Sequence, residues 1–511
     1  MPNHQPATAS REAERKYALP SRVDDAAPGR PLGELLDLER LGAHSPERVD
    51  VLVADYSDTP ELDLLRAKIT LRRRTGGGDA GWHLKTPGRR EGDDVRGEVR
   101  LPLTAGLRVP ASMRAMVADL VGERPLLPIV RLTTVRGTTE LYRADGSVRA
   151  ELCRDRVTAE VRRCDALREL EWSELELELA PDEPTAAFDE LEPMLLDAGC
   201  VRDHAPSKLA RILADVPPMP DPDFGTPAAE AVAALMAVHF GRLQSLEVPM
   251  LANEPDAVHQ ARVAMRRMRS HLQAFRRVFD RADAERLREE MRWAGERCSE
   301  ARDAEVLGEE LDALLDGLDG DELVGPVRER IDSAIAERHR KGLTRMRQAV
   351  ASARWDAFMA SAAEFLVDAP ASGKGRRPAG TVLPKLVDRA IERVVARTER
   401  ADADPADLER WHEVRKGAKR VRYAFETLEA LELPGAEQRR RAWKAIAEDF
   451  GEIQDAAILG EQLAAFERGA EAAGEPLDTY ELLRDRLGDR RDERLERVRG
   501  MLGDALAEHG G

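Results

Sequence analysis

The sequence predicts an α+β protein of two domains: an N-terminal antiparallel β-barrel tunnel, then an all-α bundle made from a duplicated helical unit. Three observations carry this. Residues 10–212 alternate charged and apolar side chains with the period of two that a strand imposes. The segment Val216-Pro217-Pro218-Met219-Pro220-Asp221-Pro222 interrupts that pattern, because successive prolines favour stiff, extended chain. Beyond it the apolar period is helical, and one basic helix is written twice.

The 511 residues suggest more than one domain, and plentiful Leu, Ala and Val make large cores feasible although aromatics are only 4%. A formal charge of −17 argues against nucleic-acid binding driven by overall charge, but leaves room for a local basic channel. Cys153, Cys164, Cys200 and Cys298 show no CxxC spacing and read as free thiols of a reducing compartment. With no signal peptide or long apolar span, the expected location is the cytoplasm, with no membrane partner.

Residues 1–9 read as a disordered leader. Strands are expected at 10–18, 49–56, 67–75, 81–86, 95–103, 130–137, 147–154, 156–163 and 168–179. Turns such as Thr75-Gly76-Gly77-Gly78 and Thr86-Pro87-Gly88 separate them, and helices interrupt near 31–41, 110–121 and 186–198. On these strands Glu12, Glu14 and Lys16 share one face, as do Arg72 with Arg74 and His83 with Lys85. Arg96, Glu98 and Arg100 form another such set, and Glu174, Glu176 and Glu178 alternate with Leu175, Leu177 and Leu179. Any one such face suits a solvated surface. Several together suit a closed barrel whose polar lumen holds phosphate and metal. Arg and Lys neutralise phosphate oxygens, and Glu carboxylates prefer hard cations such as Mg²⁺ or Mn²⁺.

Glu12-Ala13-Glu14-Arg15-Lys16 resembles the ExExK signature of CYTH domains, the triphosphate tunnel metalloenzymes. Further similar segments follow in the family's order. They are Tyr56-Ser57-Asp58-Thr59, Leu71-Arg72-Arg73-Arg74, Trp82-His83-Leu84-Lys85, Arg96-Gly97-Glu98, Arg136, Glu151 with Asp155, Glu174-Leu175-Glu176 and Ser207-Lys208. The resemblance implies an eight-stranded tunnel over 10–212 that binds triphosphate with a divalent cation. It implies metal binding by Glu12, Glu14, Glu174 and Glu176, and phosphate binding by Lys16, Arg72, Arg74, Lys85, Arg136 and Lys208. It gives Glu98, Asp155 and Lys85 the catalytic roles. Arg131 competes with Arg136, and Glu178 replaces Glu174 if the register moves by two. Tyr56 and Trp82 read as packing or rim residues, Asp58-Thr59 before Pro60 as turn chemistry, and Ser207 as a helix cap.

The linker is expected at 213–227 and the helical domain at 228–505, broken near its middle at 370–380. His259, Arg262, Arg266 and Arg269 return as His412, Arg415, Lys419 and Arg422. Steps of 3, 7 and 10 place each set within one arc of roughly 80°, with Ala261, Met265 and Met268, or Val414, Ala418 and Val421, on the opposite side. An acidic turn is expected just over forty residues later, at Arg302-Asp303 and at Gln454-Asp455. These two copies resemble the halves of a CHAD domain, with Cys298-Ser299 where that family often has Leu-Gly. The resemblance implies a basic channel for inorganic polyphosphate, lined by the eight ladder residues. No aromatic stacking partner stands on the ladder, which disfavours single-stranded nucleic acid. The two histidines either add charge below neutral pH or bond within the bundle, and Asp303 and Asp455 cap helices or orient basic side chains. Arg338, Arg340, Lys341, Lys385 and Arg389 either extend the channel or stay solvated.

The whole reads as a metal-dependent inorganic triphosphatase with an attached polyphosphate-binding domain that brings it to polyphosphate, polyphosphate granules included. The alternatives are a non-catalytic polyphosphate-binding protein, or another triphosphate reaction such as that of an adenylate cyclase or thiamine triphosphatase. The sequence leaves the oligomeric state open.

Overall fold

The computed structural model describes residues 8–20, 32, 42–88, 95–162, 168–205, 207–213, 221–404 and 407–510. The chain divides into two compact units, Met1–Pro220 with Met359–Asp368, and Asp221–Phe358 with Ala369–Gly511.

The first unit is built on a closed barrel of eight antiparallel strands: β1 (Thr8–Ala18), β2 (Arg48–Asp58), β3 (Thr70–Thr75), β4 (Gly81–Thr86), β5 (Val95–Pro102), β6 (Leu127–Tyr142), β7 (Val148–Val161) and β8 (Arg168–Leu179). Their order around the wall is β5-β4-β3-β2-β6-β7-β8-β1, and β1 closes on β5 through pairs such as Glu12↔Arg96 and Ser10↔Glu98. Closure removes the exposed strand edge that an open sheet would carry. A short β9 (Val201–Asp203) adds to β1, and a helix at Lys208–Leu213 follows it. Along β8 the leucines point outward. Leu175 and Leu177 are fully buried against Phe188 and Leu191 of the helix Ala187–Asp197. On β3 and β4, Leu71, Trp82 and Leu84 pack with Met113, Val117 and Val121 from the short helices at 111–121. Each such burial contributes about 2 kcal/mol. The apolar face is therefore outside, under helices, and the charged face is forced inward.

The sequence expectation needs several corrections. The strands expected at 147–154 and 156–163 are one strand, and 130–137 is the middle of a sixteen-residue strand. Long strands follow from the tilt that a barrel requires. Residues 63–66 are helical, so β3 starts at Thr70. Asp58 caps that turn by accepting from the N–H groups of Thr59 (2.7 Å), Leu64 (2.9 Å) and Leu65 (2.9 Å). The expected helix at 31–41 lies outside the described residues except for Leu32, as do residues 1–7 of the leader and 214–220 of the linker; Thr8 and Ala9 belong to β1. Cys153, Cys200 and Cys298 are buried free thiols, while Cys164 is outside the described residues.

Beyond Asp221 the described residues form nine helices: α1 (Ala228–Ala252), α2 (Ala257–Phe275), α3 (Arg281–Asp316), α4 (Val327–Val350), α5 (Ala353–Asp368), α6 (Ala379–Asp402), α7 (Leu408–Ala430), α8 (Ala436–Ala473) and α9 (Asp478–Gly510). The duplication is α1–α4 and α6–α9, with α5 between. Asp280 and Asp407 cap α3 and α7 by accepting backbone N–H groups of their first turns. The two copies begin alike, each after a proline, and Pro227 and Pro378 pair with each other as an isolated bridge. The break at 370–380 is an ordered connector that runs against the α2–α3 loop. Its Ser372 N–H donates to the Val278 carbonyl (2.9 Å), and a Cβ on Gly375 would lie 1.9 Å from that same oxygen. No described helix is long and apolar enough to cross a membrane.

Candidate functional site

The barrel interior is a cavity of about 50 Å³, narrow because long charged side chains from nearly every strand converge there. Its lining includes Glu12, Glu14 and Lys16 of β1, Arg72 and Arg74 of β3, Lys85 of β4, Arg136 of β6, Asp155 of β7, Glu176 of β8 and Lys208. Lys208 sits at the centre of one cluster. Its ammonium is 2.6 Å from Glu176, 2.7 Å from Glu174 and 2.9 Å from Asp155. Arg136 forks onto Asp155 at 2.8 and 2.7 Å and also reaches Glu176 and Glu178. Lys16 bonds Glu176 and lies 3.4 Å from Glu14, and Lys85 pairs with Glu12. Arg131 instead binds Asp55 (2.7 Å) and is absent from the lining, so Arg136 is the interior arginine.

Burial penalises these charges, and their partners decide the outcome. Burial pushes the Glu14 carboxyl up, but Lys16 and Lys85 outweigh it and hold it at about 2. Burial raises Asp155 too, yet Arg136 and Lys208 hold it below the usual carboxylate range. Lys208 is the converse: burial lowers it, while Glu176, Asp155 and Glu174 keep it well above the lysine range. Glu178 differs. Burial pushes it up to about 7, Arg136 opposes, and Glu12, Glu176 and Glu14 add repulsion.

Two carboxylate trios could hold a cation, each with ligand oxygens within 4.8 Å of one another: Glu12–Glu14–Glu178 and Asp155–Glu174–Glu176. The four expected metal residues are therefore divided between two clusters. Glu174 lies outside the cavity lining, where Trp172 also donates to it at 2.7 Å. Glu178, two residues on from Glu176, lines the cavity. Glu98 is not brought to the cavity: its buried carboxylate is taken by His83 Nδ1 (2.9 Å) and by Arg100. The Glu12–Glu14–Glu178 trio offers hard oxygen donors around one point, a donor set that suits a divalent ion.

In the helical unit the two ladders face one cleft of about 840 Å³. Arg266 and Arg269 of α2 and Lys419 and Arg422 of α7 line it, with Lys416, Arg420 and Tyr423 beside them and Glu413, Glu448 and Asp455 as the acids. Burial pushes Lys419 down to about 8, with Arg415 and Arg266 adding repulsion and Asp455 opposing. Packed positive charge of this kind suits an anion. Half of each expected ladder is elsewhere. His259 and His412 are half-buried and do not line the cleft. Arg262 is turned to Asp303 (2.6 Å) and the Ser299 carbonyl (2.8 Å), and Arg415 is absent from the lining although it feels the charge of Asp455 there. Arg302-Asp303 and Gln454-Asp455 are not turns; they lie inside α3 and α8, and the Gln454 side chain is outside the described residues. Arg338 binds Gln462, and Arg340 and Lys341 bind Glu337; none of these, nor Lys385 or Arg389, lines the cleft.

A CYTH domain model matches residues 10–212 and a CHAD domain model residues 234–464. An uncharacterized protein of Mycobacterium tuberculosis is 34% identical over 507 residues, 95% of this chain and 95% of that protein. The chain belongs to the CYTH–CHAD proteins. Among solved structures, the CHAD domain of the plant Ricinus communis is 22% identical with a TM-score of 0.44, covering 55% of this chain and 93% of its own. HpAC1 from Hippeastrum, described as having a dominant triphosphatase activity, is 21% identical with a TM-score of 0.25, covering 40% and 95%. CYTH domains are metal-dependent and act on triphosphates, and CHAD domains are associated with polyphosphate.

Sequence reasoning missed several members of the CYTH tunnel. Tyr56 is in the lining and accepts from Arg72 (2.9 Å), although its aromatic character points to packing. Asp79, from the glycine-rich turn, reaches into the cavity to pair with Arg74. Arg96 was not missed: the period of two puts it on the charged face of β5, and it lines the cavity, whereas Glu98 and Arg100 do not. In the CHAD cleft Tyr423 supplies an aromatic face after all, beneath Arg422 at 5.2 Å from the ring centroid. It follows Arg422 directly in sequence and lines the cleft opposite Ala447 and Glu448 of α8, a placement no single helix period assigns.

Proposed function

We propose that the CYTH tunnel hydrolyses inorganic triphosphate with Mg²⁺ or Mn²⁺, and that the CHAD cleft binds polyphosphate and so concentrates the enzyme where such chains accumulate. The carrying observation is the tunnel interior. Six cations on rigid strands and one helix, Lys16, Arg72, Arg74, Lys85, Arg136 and Lys208, surround one narrow cavity beside a carboxylate trio. Glu12, Glu14 and Glu178 would hold the cation, which polarises a phosphoryl oxygen and lowers the pKa of a bound water. Arg72 and Arg74 grip the chain from one wall and Lys85 and Arg136 from others, fixing the terminal phosphorus for in-line attack. The phosphates replace carboxylates as partners of Lys16 and Lys208, so cations already charged and already in place meet the developing charge. The protein's expected place is in the cytoplasm.

The test is phosphate release from tripolyphosphate, ATP and thiamine triphosphate by the full chain with each metal. Release from tripolyphosphate should dominate, and Glu14→Gln should lower it by at least a hundredfold. Release that needs no metal overturns the metal-dependent mechanism, and no release from any substrate overturns the hydrolase reading in favour of a polyphosphate-binding shell.

A further inference from the structure

Beside the CHAD cleft lies a second, smaller cavity of about 170 Å³. Its floor is apolar: Ala274 and Phe275 at the end of α2, Leu386 and Ala390 of α6, and Ala424 of α7. Its polar lining is Gln273, Arg276, Arg393 and Arg420, with no carboxylate. None of its three arginines belongs to the duplicated ladder. Gln273 and Arg420 line both cavities, so the small cup adjoins the large cleft.

The charge in the cup is poorly balanced. Among the described residues, no carboxylate forms an ion pair with Arg276, Arg393 or Arg420. Arg393 donates only to the Arg389 carbonyl (2.7 Å). Burial, then Arg277, Arg397 and Arg276, push Arg393 below the usual arginine range. Burial and Arg397 do the same to Arg420, with Glu413 opposing. Three acids offset the group only in part and without pairing with it: Glu392 acts on Arg393, Glu285 on Arg276, and Glu413 on Arg420 while it pairs with Lys416 (2.8 Å) and Arg397 (3.6 Å). A set of guanidinium groups gathered at one opening, in a chain of net charge −17, gains most from an external anion.

We propose that this cup is a distal phosphate subsite, and that a linear polyphosphate lying in the CHAD cleft crosses Arg420 and places its continuing phosphates between Arg276 and Arg393. The proposal rests on the reading of the cleft as a polyphosphate site. It adds a length requirement: a chain long enough to reach past Arg420 gains two guanidinium contacts that tripolyphosphate in the cleft does not reach.

The experiment compares the full chain with Arg276→Gln/Arg393→Gln and with the cleft variant Arg266→Gln/Lys419→Gln, titrating each with long-chain polyphosphate and with tripolyphosphate over a range of salt. The cup variant should lose affinity for long chains roughly tenfold and flatten the log–log salt slope by about 1.4, the share of two single-strand phosphate contacts. Its tripolyphosphate affinity should stay that of the wild type, and Arg276→Lys/Arg393→Lys should restore most of the long-chain affinity. Thermal midpoints of the ligand-free variants report folding directly, and relief of the mutual repulsion should leave them equal to or above that of the wild type. If the cleft variant weakens long-chain binding while the cup variant keeps both affinity and slope, the subsite is refuted and the cleft reading stands. If the wild type binds no polyphosphate, the cleft reading fails and takes the cup with it. An equal loss for single-stranded DNA bound as tightly as polyphosphate refutes the assignment in favour of nucleic acid.

Discussion

Replacing Lys208 by Met removes one ammonium from the middle of three carboxylates while keeping much of the side-chain volume. The ion pairs that disappear are 2.6, 2.7 and 2.9 Å long, and the lysine side chain is only 8% exposed. Breaking a buried ion pair from one side costs about 3–5 kcal/mol. The lower end applies here, because Arg136 still holds Asp155, Lys16 still holds Glu176, and Trp172 still donates to Glu174. About 3 kcal/mol at a urea slope of about 2 kcal/mol per molar moves the barrel's unfolding midpoint down by about 1.5 M at pH 7. The pH dependence has a definite sign. Asp155 and Glu176 have depressed folded pKa values, so their stabilisation is present above the ordinary carboxylate range and is lost as pH falls through the folded values. Without Lys208 those values rise and one carboxyl takes up a proton sooner. The deficit relative to wild type is therefore largest at neutral pH and shrinks as pH falls toward about 4. Urea unfolding followed by tryptophan fluorescence at pH 7 and pH 4.5 measures both. A midpoint shift below about 0.3 M, or a deficit constant with pH, refutes the claim that Lys208 neutralises the trio.

Replacing Arg266, Arg269, Lys419 and Arg422 together by Gln should flatten the log–log salt slope of polyphosphate binding by about 3, as the removal of four phosphate contacts requires. Salt-dependent titration checks it, and an unchanged slope places the polyanion elsewhere. Gly342→Ala puts a Cβ 2.4 Å from the Ala301 amide nitrogen and should destabilise the α3–α4 pair by about 1–3 kcal/mol. Gly460→Ala meets nothing within 4 Å and should stabilise α8 by up to about 1 kcal/mol; thermal melts of both variants separate packing from propensity. His271 is fully buried, bonds Thr427 at 2.8 Å, and is pushed down to about 3 by burial, His239 and Arg267. The unfolded chain takes up this proton first, so stability falls as pH drops from about 6.5 toward 3, by up to about 1.4 kcal/mol per unit. His271→Asn should lack that component, read as a shallower acid limb in melts of the helical unit against pH.

The sequence alone determined both architectures and most of the side chains that meet. Strand alternation at Glu12, Glu14 and Lys16, or at Arg72 and Arg74, is a local property. A barrel with helices over its apolar exterior has only one place for the other face. The ladder helices were legible for the same reason, since a period of 3.6 assigns sides without reference to neighbours. What lay beyond the sequence was every relation that depends on how separate elements meet. Strand register set Glu178 opposite Glu14 in the cavity, while side-chain packing turned Glu98, which stands opposite Lys85, to His83. Lys208, from a short helix after the last strand, was set among three carboxylates that span β7 and β8. Long, flexible arginines were divided by nearby acids, so that Asp303 took Arg262 away from the cleft while Arg266 and Arg269 stayed in it. Local period fixes which way a side chain leaves the backbone; only the packed chain fixes which charge it finds there.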